Sequence, residues 1–385
     1  MHDNKELKDK TLVLFFTFGV SLKTWYDMGL IIRDTALYNE ISKDLKHIYF
    51  FTYGGKEDLQ YKKYLANNIT IVPNPFLSSS KPSKIFSLAY AFFLPIIHYK
   101  LLKEADIIKS HQMWGGLVAV FCKVIFKKKN IARCGFIPSL IMYPKKRAIQ
   151  AIMFLNEYLV CRLSNIVCVP SQEEAEYIKK KFKISENKIK INPNWIDINK
   201  FYPLRIAGKK RGRVCFLARF EPRKQPLLLI EAVKNLNNIE LFMIGGGSLE
   251  GEIKKKMEEY KINGKIFGRI KNEDLPELLN SCEIYTILSF SEGGSPKTLL
   301  EAMACGLPCI GMDVWGINSV IEHKKNGILC QNNIQSVRNS IITLMEDNVL
   351  KNNLGENARK TIVNKFSLEK ILEMEKRIYQ ELYAS

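Results

Sequence analysis

A short segment between an apolar run and a helical pattern carries the residues best suited to chemistry. Glu292 enters this segment, Gly293, Gly294 and Ser295 follow it, and Glu301 comes just over one turn into the helical pattern. Small residues let backbone N–H groups approach a ligand closely, and the N-terminus of a helix attracts anions. Carboxylates are poor phosphate ligands but good acceptors for sugar hydroxyls. The segment therefore indicates a site for a phosphorylated sugar.

The flanking elements would hold this segment in place. The apolar run Glu283–Leu288 predicts a strand, and the spacing of apolar residues predicts a helix over Thr298–Cys305. Pro296 suits a first helical turn, and Gly306 is typical of a helix end. An ordinary buried helix preceded by a glycine-rich turn is the alternative interpretation.

Strand-like and helix-like segments alternate through the first half of the chain. Leu12–Phe18, Ile69–Val72, Ile107–Lys109 and Ile166–Val169 have strand patterns, and helical patterns cover about Tyr26–Ile41 and 84–103. The alternation predicts a parallel sheet covered on both faces. In such sheets, ligands bind at the carboxyl ends of the strands. Gly19 and His111 both follow strand-like runs, so we expect them at that edge. A strand-end histidine is equally compatible with a hydrogen-bonded core residue.

Positive charge is concentrated in the first half. The chain has 385 residues, a length that favours two domains, and a net charge of +19. Residues 1–205 contain 32 Lys and Arg against 17 Asp and Glu, and residues 81–150 contain 13 against 2. A one-sided basic field predicts an anionic partner, either nucleic acid or an acidic membrane surface. A lysine-rich solvated surface is the alternative.

One apolar segment in this basic region resembles a membrane element. Ile85–Ile97 is 13 residues long and contains Pro95, so it is too short to span a bilayer. It predicts either a buried helix or a surface helix that dips into lipid. The apolar run Thr11–Val20 predicts a first strand rather than a secretory signal, which favours a cytoplasmic location.

The cysteines and histidines do not indicate a metal site. The nine cysteines are odd in number and form no C-x-x-C pair, and none of the five histidines pairs with another at ligand spacing. This pattern predicts buried thiols in a reducing compartment. We expect neither zinc nor a disulfide framework, and no bound cofactor.

The run S-F-S-E-G-G-S-P-K-T-L-L-E-A-M-A-C-G-L-P resembles the donor-site signature of family 4 glycosyltransferases of the GT-B fold. In that signature two glutamates flank a glycine-containing loop before E-A-M-A-x-G-x-P. Glu292 and Glu301 are one residue further apart than the family's pair, which places the extra residue in the Gly-Gly loop. Ile191–Pro203 resembles the family segment I-P-N-G-V-D…F-x-P that ends the first domain.

The resemblance assigns roles to particular residues. Arg219 and Lys224, in R-F-E-P-R-K, match the family's cations for the donor diphosphate, with Arg223 as the alternative to Lys224 if the register differs by one. His111 resembles a strand-end histidine near the donor sugar. Glu301 would bind the ribose and Glu292 the sugar hydroxyls. The remaining donor-binding candidates are Gly19, Gly245, Gly268, Gly293, Gly294, Ser295, Lys297 and Thr298.

The resemblance also implies an architecture. It is an α/β fold of the GT-B type, with two Rossmann-like, doubly wound parallel-sheet domains facing across a cleft. Residues 1–205 would form the acceptor-side domain and residues 206–385 the nucleotide-sugar domain, joined by a charged linker over Arg205–Arg213. The fold allows the C-terminal helix, about 368–382, to cross back to the first domain.

The implied function is a retaining, metal-independent glycosyltransferase of hexosyltransferase type. It would move a sugar from a nucleoside-diphosphate sugar to a lipid-linked or membrane-associated glycan in surface polysaccharide biosynthesis. The enzyme would be peripheral on the inner face of the cytoplasmic membrane, next to an anionic lipid surface. The alternatives are a sugar-nucleotide epimerase or phosphorylase on the same fold and a basic nucleic-acid-binding protein, although residues 81–150 lack a recognised nucleic-acid motif.

Overall fold

The computed structural model describes residues 7–77, 84–141, 147–204 and 211–384. The chain forms two compact units. Unit 1 comprises the chain up to Asn192 and the C-terminal residues from Leu372 onward, and unit 2 spans Pro193–Ile371.

Unit 1 is built on seven strands. They are β1 Thr11–Phe15, β2 His47–Phe51, β3 Ile69–Val72, β4 Ile107–Ser110, β5 Lys129–Arg133, β6 Ile166–Val169 and β7 Ile189–Ile191. Its helices before Asn192 are α1 Leu22–Asp27, α2 Ile31–Ile41, α3 Lys84–Ile97, α4 Tyr99–Glu104, α5 Gly116–Phe126, α6 Pro138–Ile141, α7 Arg147–Leu163 and α8 Gln172–Phe182. The strands form one parallel sheet in the order β3-β2-β1-β4-β5-β6-β7.

The sheet of unit 1 is covered on both faces because its strands are apolar throughout. All residues of β1 are buried. Leu12 and Leu14 pack into one hydrophobic cluster, and Val13 and Phe15 pack into another. Since successive side chains of a strand point to opposite faces, the two clusters lie on opposite sides of the sheet.

Unit 2 repeats this plan with six strands. They are β8 Arg213–Leu217, β9 Glu240–Ile244, β10 Gly264–Gly268, β11 Ile284–Ile287, β12 Cys309–Met312 and β13 Ile328–Cys330. The helices that follow Pro193 are α9 Pro226–Val233, α10 Glu250–Glu259, α11 Leu275–Asn280, α12 Lys297–Ala304, α13 Ile334–Glu346, α14 Asn348–Lys365 and α15 Leu368–Ala384. The sheet is parallel in the order β10-β9-β8-β11-β12-β13. The predicted α/β architecture of two Rossmann-like domains is confirmed.

Each sheet has one point where the strand order reverses. In unit 1 the reversal lies between β1 and β4, and in unit 2 it lies between β8 and β11. The loops that leave these strand pairs diverge to opposite faces, which opens a crevice at the carboxyl edge. Gly19 and His111 follow the first pair of strands, and Arg219 and Glu292 follow the second. The topology thus brings the predicted site residues to the reversal points.

The C-terminal helix belongs mainly to unit 1. Ile378, Tyr379 and Leu382 of α15 pack in the same cluster as Leu12 and Leu14 of β1. The Lys109 ammonium, at the centre of the sheet, donates to the Glu375 carboxylate, and both side chains are 1% exposed. These contacts confirm that the C-terminal helix crosses back to the first unit.

The units divide at a different place from the proposed domain boundary. Residue 205 lies outside the described residues. Before it, Ile196 and Phe201 are already buried in the core of unit 2, and Ile196 bridges to Ser367. Because these apolar side chains fill the second core, the chain changes units between Asn192 and Pro193. The return of the chain to unit 1 from Leu372 onward agrees with the predicted crossing of the C-terminal helix.

Two predicted helices are interrupted in the structure. The helix expected over Tyr26–Ile41 is two helices, α1 and α2, because Gly29 between them has a φ of 68°. The helix expected over 84–103 is divided into α3 and α4 at His98. No helix within the described ranges is both long enough and apolar enough to cross a bilayer. All nine cysteines are buried, as predicted.

Candidate functional site

The predicted ligand loop lies between a fully buried strand and a helix in unit 2. All four residues of β11 are buried, and Tyr285 on this strand donates a hydrogen bond to Thr298 Oγ1 at 2.9 Å. This bond ties the start of α12 to the sheet. No side chain caps α12 at Pro296. The helix dipole and the amides of the first turn therefore favour an anion at this end.

The loop after β8 is tied to the loop after β11. The Arg223 guanidinium donates to the Ser291 carbonyl at 2.5 Å, and the Phe290 N–H donates to the Arg223 carbonyl at 3.2 Å. The Lys224 ammonium donates to Glu292 Oε1. These bonds cross the reversal point of the sheet and bring the predicted cation Lys224 to the predicted ligand loop.

The Glu292 carboxylate is more heavily engaged than the sequence indicated. Besides Lys224, it accepts a hydrogen bond from Ser289 Oγ at 2.6 Å, and its Oε2 lies 3.5 Å from Arg223 Nη1. Its side chain is 9% exposed. These donors fix the carboxylate at the carboxyl edge of β11. Its role toward sugar hydroxyls stays a prediction.

Arg219 lies apart from the Lys224–Glu292 pair. Its side chain is 63% exposed and pairs with Glu221 on the same loop at 2.9 Å. The guanidinium is therefore free to reorient toward an anion at little cost, since exposed ion pairs are weak.

Glu301 is held by residues that sequence reasoning did not single out. Its carboxylate is buried, and its Oε1 accepts a hydrogen bond from Asn272 Nδ2 at 3.0 Å. Asn272 Oδ1 in turn accepts from the Lys200 ammonium at 2.7 Å. The chain Lys200–Asn272–Glu301 orients the carboxylate that the resemblance assigned to the ribose. No local pattern joins these three positions.

Two further contacts hold the ligand loop from residues near the start of unit 2. Asn194 Nδ2 donates to the Ser295 carbonyl at 2.9 Å. The Lys297 ammonium lies 4.9 Å from the centre of the Trp195 ring, at cation–π distance. Both partners come from the I-N-P-N-W-I-D segment, whose resemblance to the family motif is the signal that could have identified them.

The glycine turns after β9 and β10 approach the same edge. Gly245 has a φ of 140°, and a Cβ there would lie 1.9 Å from the Ala218 carbonyl oxygen at the end of β8. Only glycine fits so close to the neighbouring backbone. The Gly245 N–H donates to the Gly268 carbonyl at 2.8 Å, so these two predicted glycines meet. Gly294, in the ligand loop, has a φ of 65°, a conformation that glycine adopts easily.

The remaining predicted residues, Gly19 and His111, lie in unit 1. His111 Nδ1 is 3.2 Å from the Tyr38 hydroxyl, and its ring centre is 5.0 Å from that of Trp25. Burial raises the pKa of Tyr38, so its hydroxyl stays protonated. Tyr38 and Trp25 were missed because each is distant from His111 in sequence.

The two halves of the chain match separate family models. Residues 37–200 match the model described as Glycosyltransferase Family 4, and residues 205–361 match the model described as Glycosyl transferases group 1. Together the two matches cover most of the chain. The protein belongs to glycosyltransferase family 4.

Two curated relatives of this glycosyltransferase show what related enzymes do. The Escherichia coli UDP-Gal:alpha-D-GlcNAc-diphosphoundecaprenol alpha-1,3-galactosyltransferase is 26% identical over 312 residues, covering 74% of this chain and 78% of the relative. The Campylobacter jejuni N,N'-diacetylbacillosaminyl-diphospho-undecaprenol alpha-1,3-N-acetylgalactosaminyltransferase is 26% identical over 204 residues, covering 49% of this chain and 53% of the relative.

Among solved structures, the glycosyltransferase resembles HepE from Anabaena, which was crystallised with UDP. The TM-score is 0.76 with 16% sequence identity, and the match covers 97% of this chain and 100% of HepE. At this identity the likeness shows a shared fold.

The electrostatics of the glycosyltransferase site suit an anionic ligand. Burial lowers the pKa of Lys224, and Arg223 and Arg219 lower it further, while Glu292 opposes the change. An anion placed among these cations would favour the charged amine. Within the described residues, no group of three or more His, Cys, Asp or Glu could hold a metal ion.

Proposed function

We propose that this glycosyltransferase moves a sugar from a nucleoside-diphosphate sugar to a lipid-linked glycan, with retention of the anomeric configuration and without a metal. The observation that carries the proposal is the meeting of Lys224, Glu292 and the uncapped start of α12 at the reversal point of the unit 2 sheet. A cation, a carboxylate and a helix N-terminus at one sheet edge match a phosphate joined to a sugar.

In this proposal Arg219 and Lys224 bind the donor diphosphate together with the amides of 293–298. The oriented Glu301 accepts hydrogen bonds from the ribose hydroxyls, and Glu292 accepts them from the sugar. Gly245 and Gly268 leave room for the nucleotide, and Lys297 contacts a phosphate or an acidic group of the donor sugar.

The chemistry follows from these positions. The bond between the anomeric carbon and the diphosphate oxygen breaks, and the acceptor oxygen forms its bond on the same face of the sugar. The acceptor proton passes to an oxygen of the departing phosphate, so the proposal includes no protein general base. Negative charge grows on the diphosphate as it leaves. Fixed cations and amides stabilise that charge more in the transition state than in the ground state, in the role that a metal would otherwise have.

The acceptor proposal rests on the named relatives and on charge. Both curated relatives act on sugars linked to undecaprenyl diphosphate. The basic first half of the chain favours an acidic membrane surface. We place the enzyme on the inner face of the cytoplasmic membrane, in surface polysaccharide biosynthesis, and expect no nucleic-acid partner.

The test is turnover of purified enzyme with UDP-, GDP-, ADP- and CDP-sugars and an undecaprenyl-diphosphate-linked sugar, in the presence of EDTA. We expect one donor class to give a glycosylated lipid whose new linkage has the donor's anomeric configuration by NMR. Conversion of the donor without an acceptor would point to an epimerase. A linkage of inverted configuration would contradict the proposed stereochemistry.

A further inference from the structure

Three neighbouring helices of unit 1 present large apolar side chains to solvent. We define the apolar face by six of these residues, on α3, α5 and α7: Leu88, Phe92, Ile96, Phe121, Val124 and Ile152. Their side chains are between 49% and 70% exposed. Leu88, Phe92 and Ile96 recur at a helical spacing of four residues, so they form one stripe along α3.

The exposed apolar side chains of α3 and α5 meet, and α7 packs against α5. The rings of Phe92 on α3 and Phe121 on α5 lie 6.4 Å apart, edge to face. Helices α5 and α7 approach closely at Gly116, where a Cβ would lie 2.6 Å from Val160 Cγ1. One turn further along α7, the Lys123 ammonium donates to the Leu163 carbonyl at 2.6 Å. The apolar side chains of α3 and α5 therefore form one surface, and α7 is fixed beside it.

The core of unit 1 does not need these side chains. The opposite side of α3 buries Tyr90 and Leu94, and the opposite side of α5 buries Ala119 and Cys122. Each helix thus contributes one apolar side to the core and a second to solvent. Soluble proteins rarely expose large contiguous apolar surfaces unless something binds there.

Basic residues surround this surface. Exposed Lys100 and Lys103 follow α3, Lys127 ends α5, and Arg147 and Arg162 lie at the two ends of α7. Residues 81–150 contain 13 Lys and Arg but only 2 Asp and Glu. A second copy of the chain would bring two such basic borders together, which like charges oppose. An anionic lipid surface instead accepts the apolar side chains in its acyl region and the basic ones among its headgroups.

We propose that the apolar face docks on an anionic lipid bilayer, with α3, α5 and α7 lying in the headgroup region. This inference rests on the proposed function, because a lipid-linked acceptor is reached only from the membrane surface. It goes further by naming the docking surface and by including α5 and α7 with the segment Ile85–Ile97. The donor residues of unit 2 take no part in docking.

The test is flotation of the full-length protein with vesicles of phosphatidylglycerol and phosphatidylethanolamine, compared with phosphatidylcholine vesicles. We expect binding to the anionic vesicles, weakened by salt, and at least about tenfold weaker binding for the double variant Ile96→Asp/Val124→Asp. The matched control is Val349→Asp on α14 in unit 2, where the side chain is 73% exposed. We expect the control to bind as the wild type does.

Two further measurements separate docking from catalysis. Thermal stabilisation of both variants by the donor nucleotide should equal that of the wild type, which shows an intact fold and an intact donor site. If the donor nucleotide does not stabilise even the wild type, that result counts against the proposed function. The flotation experiment still tests docking in that case. Equal binding of wild type to anionic and neutral vesicles, or undiminished binding of the double variant, would overturn the inference. If the wild type is a dimer and the double variant is a monomer, the apolar face mediates self-association instead.

Discussion

The Lys224 ammonium donates a hydrogen bond to the Glu292 carboxylate and so joins the loops that leave β8 and β11. Both side chains are largely buried, at 15% and 9% exposure. A diphosphate that binds Lys224 would compete with Glu292 for the ammonium. Donor binding and the position of Glu292 are therefore coupled, because Lys224 holds the carboxylate together with Ser289 and Arg223.

The first prediction concerns pH. The Lys224 amine must be protonated to bind a diphosphate, and burial lowers its pKa from the ordinary value of a lysine. Donor affinity should therefore fall as pH rises, beginning below the range in which an exposed lysine titrates. The measurement is the Kd of the donor nucleotide by calorimetry between about pH 7 and 10. Lys224→Arg should move the decline to higher pH, and an identical decline in this variant would show that another group titrates.

The second prediction concerns Glu301. Glu301→Gln should weaken the affinity for the nucleotide about tenfold, because hydrogen bonds to a charged acceptor are stronger than those to an amide. Asn272→Ala should weaken it less, since it removes the bonds that orient the carboxylate, from Asn272 to Glu301 and from Lys200 to Asn272, and leaves the carboxylate itself. Calorimetry with the nucleoside diphosphate measures both. The control is Glu356→Gln, because the Glu356 side chain is 71% exposed. This variant should leave the nucleotide affinity unchanged. A larger effect from Asn272→Ala than from Glu301→Gln would contradict the assignment.

The third prediction treats Tyr38 as a positioning residue for His111. Tyr38→Phe removes the hydroxyl that lies 3.2 Å from His111 Nδ1 and keeps the ring. We expect kcat to fall by about tenfold, the upper end for a lost neutral hydrogen bond, with little change in KM for the donor. The control is Thr70→Val, which removes the hydrogen bond between Thr70 Oγ1 in β3 and His47 Nε2 at the start of β2. This variant should leave kcat unchanged. If Tyr38→Phe has full activity, His111 does not need this orientation.

The fourth prediction concerns the buried pair Lys109–Glu375. Glu375→Gln leaves a buried ammonium without its counter-charge and should destabilise unit 1 by about 3–5 kcal/mol. Hydrogen exchange of α15 and the thermal midpoint report the effect. Glu381→Gln on the same helix removes a pair with Lys190 in which Glu381 is 53% exposed, and it should cost less than about 1 kcal/mol. Equal losses in the two variants would mean that burial does not set the strength of the pair.

Helices, strands and motifs were predicted well from the sequence because each depends on residues that are close together in the chain. The spacing of Leu299, Leu300 and Met303 predicts α12, and the structure has this helix at Lys297–Ala304. The strand Ile166–Val169 was predicted with the bounds it has in the structure, because it is a short apolar run. Glu292 and Glu301 were found because they lie within one motif.

Contacts between distant positions could not be predicted in the same way. Asn272 reaches Glu301 and Glu375 reaches Lys109 only because parallel strands and a returning helix bring them together. Nothing in the local pattern around Lys109 distinguishes a strand lysine with a buried partner from an exposed one. The division between units was displaced for a related reason, since Ile196 and Phe201 precede the second sheet in sequence but pack in its core.

The central claim is that unit 2 binds a nucleoside-diphosphate sugar through Lys224 and Glu301. The most direct test is thermal stabilisation of the wild type, Lys224→Ala and Glu301→Ala by UDP-, GDP-, ADP-, CDP- and CMP-sugars without metal. At about a hundred times its Kd, a ligand adds roughly 2.7 kcal/mol of stability. We predict that one nucleoside-diphosphate class stabilises the wild type and neither variant. Stabilisation by none of the donors, or equal stabilisation of all three proteins, would contradict the claim.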